Sequence, residues 1–274
     1  MNVYPFEIRI GGFAITGYGI MMMVAFLMAG WAIQLELRRR RLDEDYAADI
    51  VVAAVVGGLL GAKLWYMALH GGPLLSRGGL VWYGGFLGGV AAVLLNGWRK
   101  RVPVLFTCEV CGPALALGYA LGRVGCFMVN DDYGVPSALP WAMKFPKGLP
   151  ATTVAELGGS GVSFPPGTDP SLVVAVHPTQ LYETAVMLAV FAWLWHRRDH
   201  GRGVGWLFGC YLIFAGLERF LVEFIRVKDD RFFGSFSLAQ AVSVALVLAG
   251  FVVVARYRRA QPQAEPASLI PKQA

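Results

Sequence analysis

Charge is scarce in this chain. Of its 274 residues only 15% are Asp, Glu, Lys or Arg, against about a quarter in an ordinary soluble domain, while 56% are hydrophobic. That shortage excludes the composition of a soluble globular protein. Cysteine is sparse too, with Cys108, Cys111, Cys126 and Cys210 the four in the chain. The CxxC spacing of Cys108 and Cys111 has no second pair and no nearby histidine, which argues against a zinc or redox centre and for apolar packing. No metal and no soluble cofactor is expected. A basic segment before the first apolar window is also missing, as is a small-residue cleavage site after it, so that window reads as a retained span and not a removed signal peptide.

What the chain has instead is long apolar windows. Seven of them, near residues 14–37, 48–69, 79–97, 104–122, 180–196, 204–225 and 237–257, approach or exceed the roughly 20 helical residues that cross a 30 Å hydrocarbon core. Small residues interrupt several ("VVGGLLGAK", "YGGFLGGV"), which lets helix backbones approach closely and favours one bundle. The expected fold is therefore all-α: a polytopic membrane protein of seven transmembrane helices. The net charge of +6 raises nucleic acid as a partner, but the basic residues sit as a membrane protein places them. "RRRR" (38–41), "RKR" (99–101), "RR" (197–198) and "RYRR" (256–259) follow the odd-numbered windows. This bias predicts an external N-terminus, a cytoplasmic C-terminus, and no nucleic-acid partner. Residues 1–260 are then one transmembrane domain with an external insertion at about 123–179, and 261–274 a disordered cytoplasmic tail.

Polar groups gather where the fourth window ends. "GRVGCFMVNDDYG" (122–134) places Arg123, Cys126, Asn130, Asp131 and Asp132 there, a costly position for ionisable groups without a purpose. The loop that follows closes on "HPTQLYE" (177–183). Pro178 disfavours a helical His177, and Thr179 is expected to cap a helix that begins at Gln180 and carries Tyr182 and Glu183 in its first turn. Glu183 has two readings: a carboxylate favoured by the helix dipole, or part of a site. In the sixth window Arg219, Glu223 and Arg226 fall at i, i+4 and i+7, a plus-minus-plus stripe on one helix face. An unpaired charge at a helix centre costs about 2.5 to 3.5 kcal/mol, so the stripe should face the bundle interior. With Arg123 it gives three guanidiniums and an excess of positive charge, suited to bidentate phosphate recognition; a purely structural network is the alternative. Tyr18, and Trp82 and Tyr83 with Gly84 and Gly85, read as interfacial aromatics beside a packing face.

Together these residues resemble the prolipoprotein diacylglyceryl transferase family, from "TGYG" to the end of the seventh window. Gly122, Arg123, Gly125, Phe127 and Gly134 match its signature Gly-Arg-x-Gly-Asn-Phe-x-Asn-Gly-Glu-x-x-Gly. "HPTQLYE" corresponds to its His-Pro-Ser-Gln-Leu-Tyr-Glu, and "ERFLVEFIR" to its Arg-x-x-x-Glu-x-x-Arg. The chain departs at Cys126 and Val129, where the family has asparagine, and at Asn130-Asp131, where it has Gly-Glu. It departs again at Tyr83, where the family has a histidine often proposed as general base; Gly-Cys-Phe marks a divergent branch.

The resemblance implies a bacterial inner-membrane enzyme that transfers diacylglycerol from phosphatidylglycerol, or another anionic phospholipid, to the lipobox cysteine of a prolipoprotein signal-peptide substrate, releasing glycerol phosphate. It implies that Arg123 and Arg219 hold the phosphate, that Glu223 orients an arginine, and that Tyr83 handles the proton. Tyr18, Gly84, Gly85, Cys126, Asn130, Asp131, Gly134, His177, Gln180, Tyr182, Glu183 and Arg226 would then shape the substrate site. Two further readings stand beside it: a paralogous transferase with a different acceptor, and a non-catalytic membrane protein that binds anionic lipid.

Overall fold

A long helix occupies each of the seven apolar windows. The computed structural model describes residues 1–11, 13–71, 81–227, 231–233, 236–259 and 265–270. A hairpin of β1 (Glu7–Ile10) and β2 (Phe13–Thr16) leads into α1 (Gly17–Arg39), followed by α2 (Asp45–His70), α3 (Trp82–Arg99), α4 (Val104–Val129) and the short α5 (Val154–Gly159). After α6 (Thr179–His196) and α7 (Trp206–Val222) come a 3-10 turn at Glu223–Ile225, a small hairpin of β3 (Arg231–Phe233) and β4 (Phe236–Ser237), and α8 (Leu238–Arg256). Among the described residues the secondary structure is helical apart from these hairpins and a few isolated bridges, and α1, α2, α4 and α8 are long and apolar enough to cross a membrane.

α4 is the hub. One face, with Phe106, Val110, Ala114 and Leu117, packs on Ala32, Ile33 and Leu37 of α1 and on Tyr46, Ala47 and Ile50 of α2. The other, with Ala116 and Ala120, packs on Met187, Val190 and Leu194 of α6 and on Trp206, Leu207 and Cys210 of α7. α2 and α3 meet through glycine: a Cβ on Gly61 would stand 2.3 Å from the Gly84 carbonyl oxygen, and one on Gly84 2.4 Å from that of Gly61. Backbones this close leave no room for a side chain, which is the use of small residues expected from the sequence.

Helix ends follow local chemistry. Thr16 Oγ1 accepts from the Gly19 N–H at 3.2 Å to start α1, and Ser237 with Gln240 forms a capping box at α8. Three expected boundaries move. α4 continues to Val129 and ends at left-handed Asn130 (φ 59°), so Arg123 and Cys126 lie in its last turns and not in the loop. Thr179 does not cap α6; its hydroxyl donates to the Asp132 carbonyl at 2.8 Å. α7 stops at Val222, and Arg226 lies on extended backbone bridged to Gly134, so the expected three-residue helical stripe is cut short of its last member.

The segment between α4 and α6 is a small fold of its own. Tyr133, Phe145, Leu157 and Val176 make its core, and backbone bridges join Pro136 and Met143 to Val176 and Thr153 to Val173. Tyr133 donates its hydroxyl to the Pro150 carbonyl at 2.7 Å; burial, with Asp131 nearby, pushes its phenol above its ordinary value. The basic loops meet at the other end of α4, 26 residues away at about 1.5 Å each. There Arg39 pairs with Asp199, Arg40 and Arg198 with Glu36, and Lys100 with Asp49. The expected unstructured tail also meets this end: Ala267–Leu269 forms a 3-10 turn, Leu269 is buried against Leu42 and its neighbours, and its carbonyl accepts from the Asp43 N–H at 2.8 Å. Residues 261–264 and 271–274 of that tail lie outside the described residues.

Candidate head-group site

Arg123 projects from the last turns of α4 between two carboxylates. Its Nη2 donates to Glu183 Oε1 on α6 at 2.5 Å, and its Nη1 donates to Asp132 Oδ2 at 3.0 Å and to Cys126 Sγ at 3.4 Å. The other Asp132 oxygen accepts from Arg226 Nη2 at 2.5 Å, so one aspartate joins two arginines. Asp132 reaches them because Asn130 and Asp132 both adopt left-handed backbone (φ 59° and 60°), which turns the chain back under the end of α4. The Glu183 oxygens, near the start of α6, accept from Arg123 and from the Tyr119 hydroxyl (2.6 Å).

Among the described residues the three guanidiniums are matched by carboxylates. Arg123, Arg219 and Arg226 each pair with a carboxylate, Arg219 with Glu223 at 2.6 Å. Glu218 adds a further carboxyl group beside Tyr119, 3.4 Å from its hydroxyl. Yet the three guanidiniums are not used up. Arg123 Nε, Arg226 Nε and Arg219 Nη1 are all buried without a hydrogen-bond partner among the described residues. Buried N–H groups left in this way are costly, and each can donate to an anionic oxygen.

The other predicted residues separate into three groups. Tyr18 lies at this site, with its ring and Cα against the position of a Gly125 Cβ. Gln180 and Asp131 are joined through the Gln180 amide and the Asp131 carbonyl. Gly134 is held where a Cβ would clash with the Ile225 carbonyl at 2.5 Å and with His177 Cβ at 2.9 Å, and its N–H donates to His177. Asn130 is the helix terminator, fully buried, with its side-chain N–H donating to the Phe127 carbonyl at 2.8 Å. His177 and Tyr182 form a second polar group, Nδ1 to hydroxyl 3.3 Å, which Trp141 extends by donating to Tyr182 at 2.7 Å. Gly84 and Gly85 face α2, the exposed Tyr83 ring stands edge-on to Trp82, and among the described residues no hydrogen bond or ion pair joins the three to the arginines.

Comparison with known proteins decides the family. The sequence profile described as prolipoprotein diacylglyceryl transferase matches residues 5–256. The chain belongs to that family. It is 33% identical over 293 residues to the phosphatidylglycerol–prolipoprotein diacylglyceryl transferase of Paraburkholderia phymatum, covering 94% of each. It is 32% identical over 272 residues to the protein of that name in Bordetella bronchiseptica, covering 91% of this chain and 93% of the relative. A relative so named in Clostridium tetani is 27% identical, over 93% of this chain and 99% of its own length.

Beside this family frame, the predicted site missed Tyr119, Asp132 and Glu218. Tyr119 stands at i−4 to Arg123, a spacing that puts both on one face of α4. Asp132 was hidden because the family signature points to its neighbour Asp131, and only the left-handed turn at Asn130 brings Asp132 to the arginines. Glu218, next to Arg219 in the sixth apolar window, carries its own signal, since an acidic residue there is costly unless paired or used.

Proposed function

We infer that this protein transfers a diacylglyceryl group from phosphatidylglycerol to the cysteine thiol of a prolipoprotein and releases glycerol phosphate. The observation that carries the reading is the arginine set: three guanidiniums, each with a carboxylate partner and each with a buried N–H to spare. A phosphodiester head group supplies oxygens for such donors. As the thiolate sulfur bonds to the glyceryl carbon, the bond between that carbon and the phosphate ester oxygen breaks, and charge grows on the departing glycerol phosphate. Arginines placed beside it stabilise that charge more than the ground state. Arg123 and Arg226, linked through Asp132, form the centre of the site, with Arg219 held by Glu223. Tyr18, Cys126, Asp131 and Gln180 line it, and the His177–Tyr182 pair adjoins it through Gly134, whose N–H donates to the His177 carbonyl.

In this reading all seven long helices span the bacterial inner membrane, the N-terminus and the 130–178 segment lie outside, and the acceptor cysteine arrives on a signal peptide. The basic loops meeting at one end of the molecule support that orientation. The test is mass spectrometry of purified protein with phosphatidylglycerol and a lipobox peptide. The peptide should gain a diacylglyceryl mass, and Arg219→Gln should lower turnover by about 10² or more, in the range of a lost charge-stabilising donor. Arg219→Lys should recover little, because lysine keeps the charge but not the planar fork. No adduct on the peptide with the parent protein overturns the reading.

A further inference from the structure

Behind Arg123 a row of polar groups runs across three helices. Glu183 on α6 touches Arg123 with Oε1 and accepts from the Tyr119 hydroxyl with Oε2. Tyr119 also meets Glu218 of α7, whose Oε2 lies at 3.4 Å and whose Oε1 is buried without a partner among the described residues. Glu218 is only 7% exposed. A phenol has one proton, and it is committed to Glu183 by the shorter distance. A proton on Glu218 completes the row: the acid then donates to the Tyr119 oxygen, and Tyr119 donates to Glu183.

This row meets a difficulty in the proposed chemistry. Arg123 gives Nη2 to Glu183 and Nη1 to Asp132, so it cannot grip a phosphate with both arms while Glu183 stays ionised against it. We propose that Glu218, acting through Tyr119, is a positioning residue that passes a proton to Glu183 as the head group arrives, so that Arg123 exchanges a carboxylate for a phosphate. The Glu218 O–H bond breaks and its proton goes to the Tyr119 oxygen. The Tyr119 proton moves to Glu183 Oε2. Glu183 becomes neutral, Glu218 takes the negative charge next to Arg219 in the chain, and no electrons are transferred. The proton returns when the phosphate leaves. This rests on the reading of Arg123 as a phosphate ligand.

The groups that set the proton's position are Tyr119 and Arg123 on α4, Glu183 on α6, and Tyr211 and Arg219 on α7 with Glu218 itself. The test uses the full chain in nanodiscs containing phosphatidylglycerol, with a lipobox peptide as acceptor. Glu218→Gln and Tyr119→Phe should each lower kcat/KM tenfold or more, through a raised KM for the lipid. The parent rate should fall on the alkaline side, as Glu218 loses the proton it must give. Glu183→Gln lowers turnover but needs no proton, so the alkaline fall should disappear. Adding Glu218→Gln to Glu183→Gln should then change the rate by less than twofold. Losses that multiply in that double variant indicate packing alone and overturn the proposal, as do single variants within twofold of the parent. Tyr119→Phe keeps the ring and removes one hydroxyl, so it decides the matter if Glu218→Gln does not accumulate. A parent with no lipid-dependent turnover overturns the function reading and the relay with it; a parent that turns over while indifferent to Glu218 and Tyr119 overturns the relay alone.

Discussion

Among single residues, Asp132 and Tyr83 exchange importance between sequence and structure. Asp132 bridges Arg123 and Arg226 from a left-handed turn. Asp132→Asn keeps a residue type that tolerates that backbone but removes the charge between two guanidiniums. It should lower the thermal midpoint by the equivalent of about 1 to 3 kcal/mol, the range for hydrogen bonds to charged groups and for groups left unpaired, and turnover should fall with it. A melting curve unchanged from the parent would mean that solvent screens this pair, whose aspartate side chain is 23% exposed. Tyr83→Phe should leave turnover within about twofold, since the ring is exposed and its one described ring contact is with Trp82. A hundredfold loss would return the proton to Tyr83. Arg123, Glu183, Arg219 and Glu223 were legible as a site because ionisable groups in apolar windows are costly and so must be paired or used. Their pairing was not, since it depends on which carboxylate a turn delivers.

At the scale of the element, the apolar windows were the most legible feature. Seven windows became seven helices of 17 to 26 residues. Their ends were less so, because polar residues do not stop a helix; the left-handed Asn130 stops α4, and the turn to extended backbone at Arg226 ends the run after α7. The α2–α3 seam separates two claims about one pair of glycines, packing and substrate contact. A Cβ on Gly84 meets the Gly61 carbonyl oxygen at 2.4 Å, whereas one on Gly85 meets nothing closer than 3.4 Å. Gly84→Ala should therefore force the helices apart and cost about 1 to 3 kcal/mol, as overpacking does. Gly85→Ala should melt close to the parent. Thermal denaturation in detergent reads both, and loss of lipid-dependent turnover in a stable Gly85→Ala protein would favour substrate contact over packing.

For the whole molecule, polarity along α4 organises everything else. Its Val104 end lies among the basic loops and its Val129 end carries Arg123 and leads to the folded 130–178 segment, so charge of opposite use is separated by the length of a bilayer-crossing helix. The loop charges made this axis legible, but not the way the 265–270 segment closes over its basic end, because a polar, proline-containing tail carries no periodic signal. The axis gives an orientation that can fail. Gly158 is exposed with nothing within 4 Å of a Cβ, and Arg258 is exposed just past α8. In cells with an intact inner membrane, Gly158→Cys should react with a membrane-impermeant maleimide above the level of the parent cysteines, and Arg258→Cys should not. In inverted vesicles the pattern should reverse. Labelling of Arg258→Cys in intact cells would place the basic loops outside, against the electrostatic bias that keeps arginine-rich loops in the cytoplasm. It would also put the arginine site on the cytoplasmic side, where a prolipoprotein cysteine that has already crossed the membrane cannot reach it.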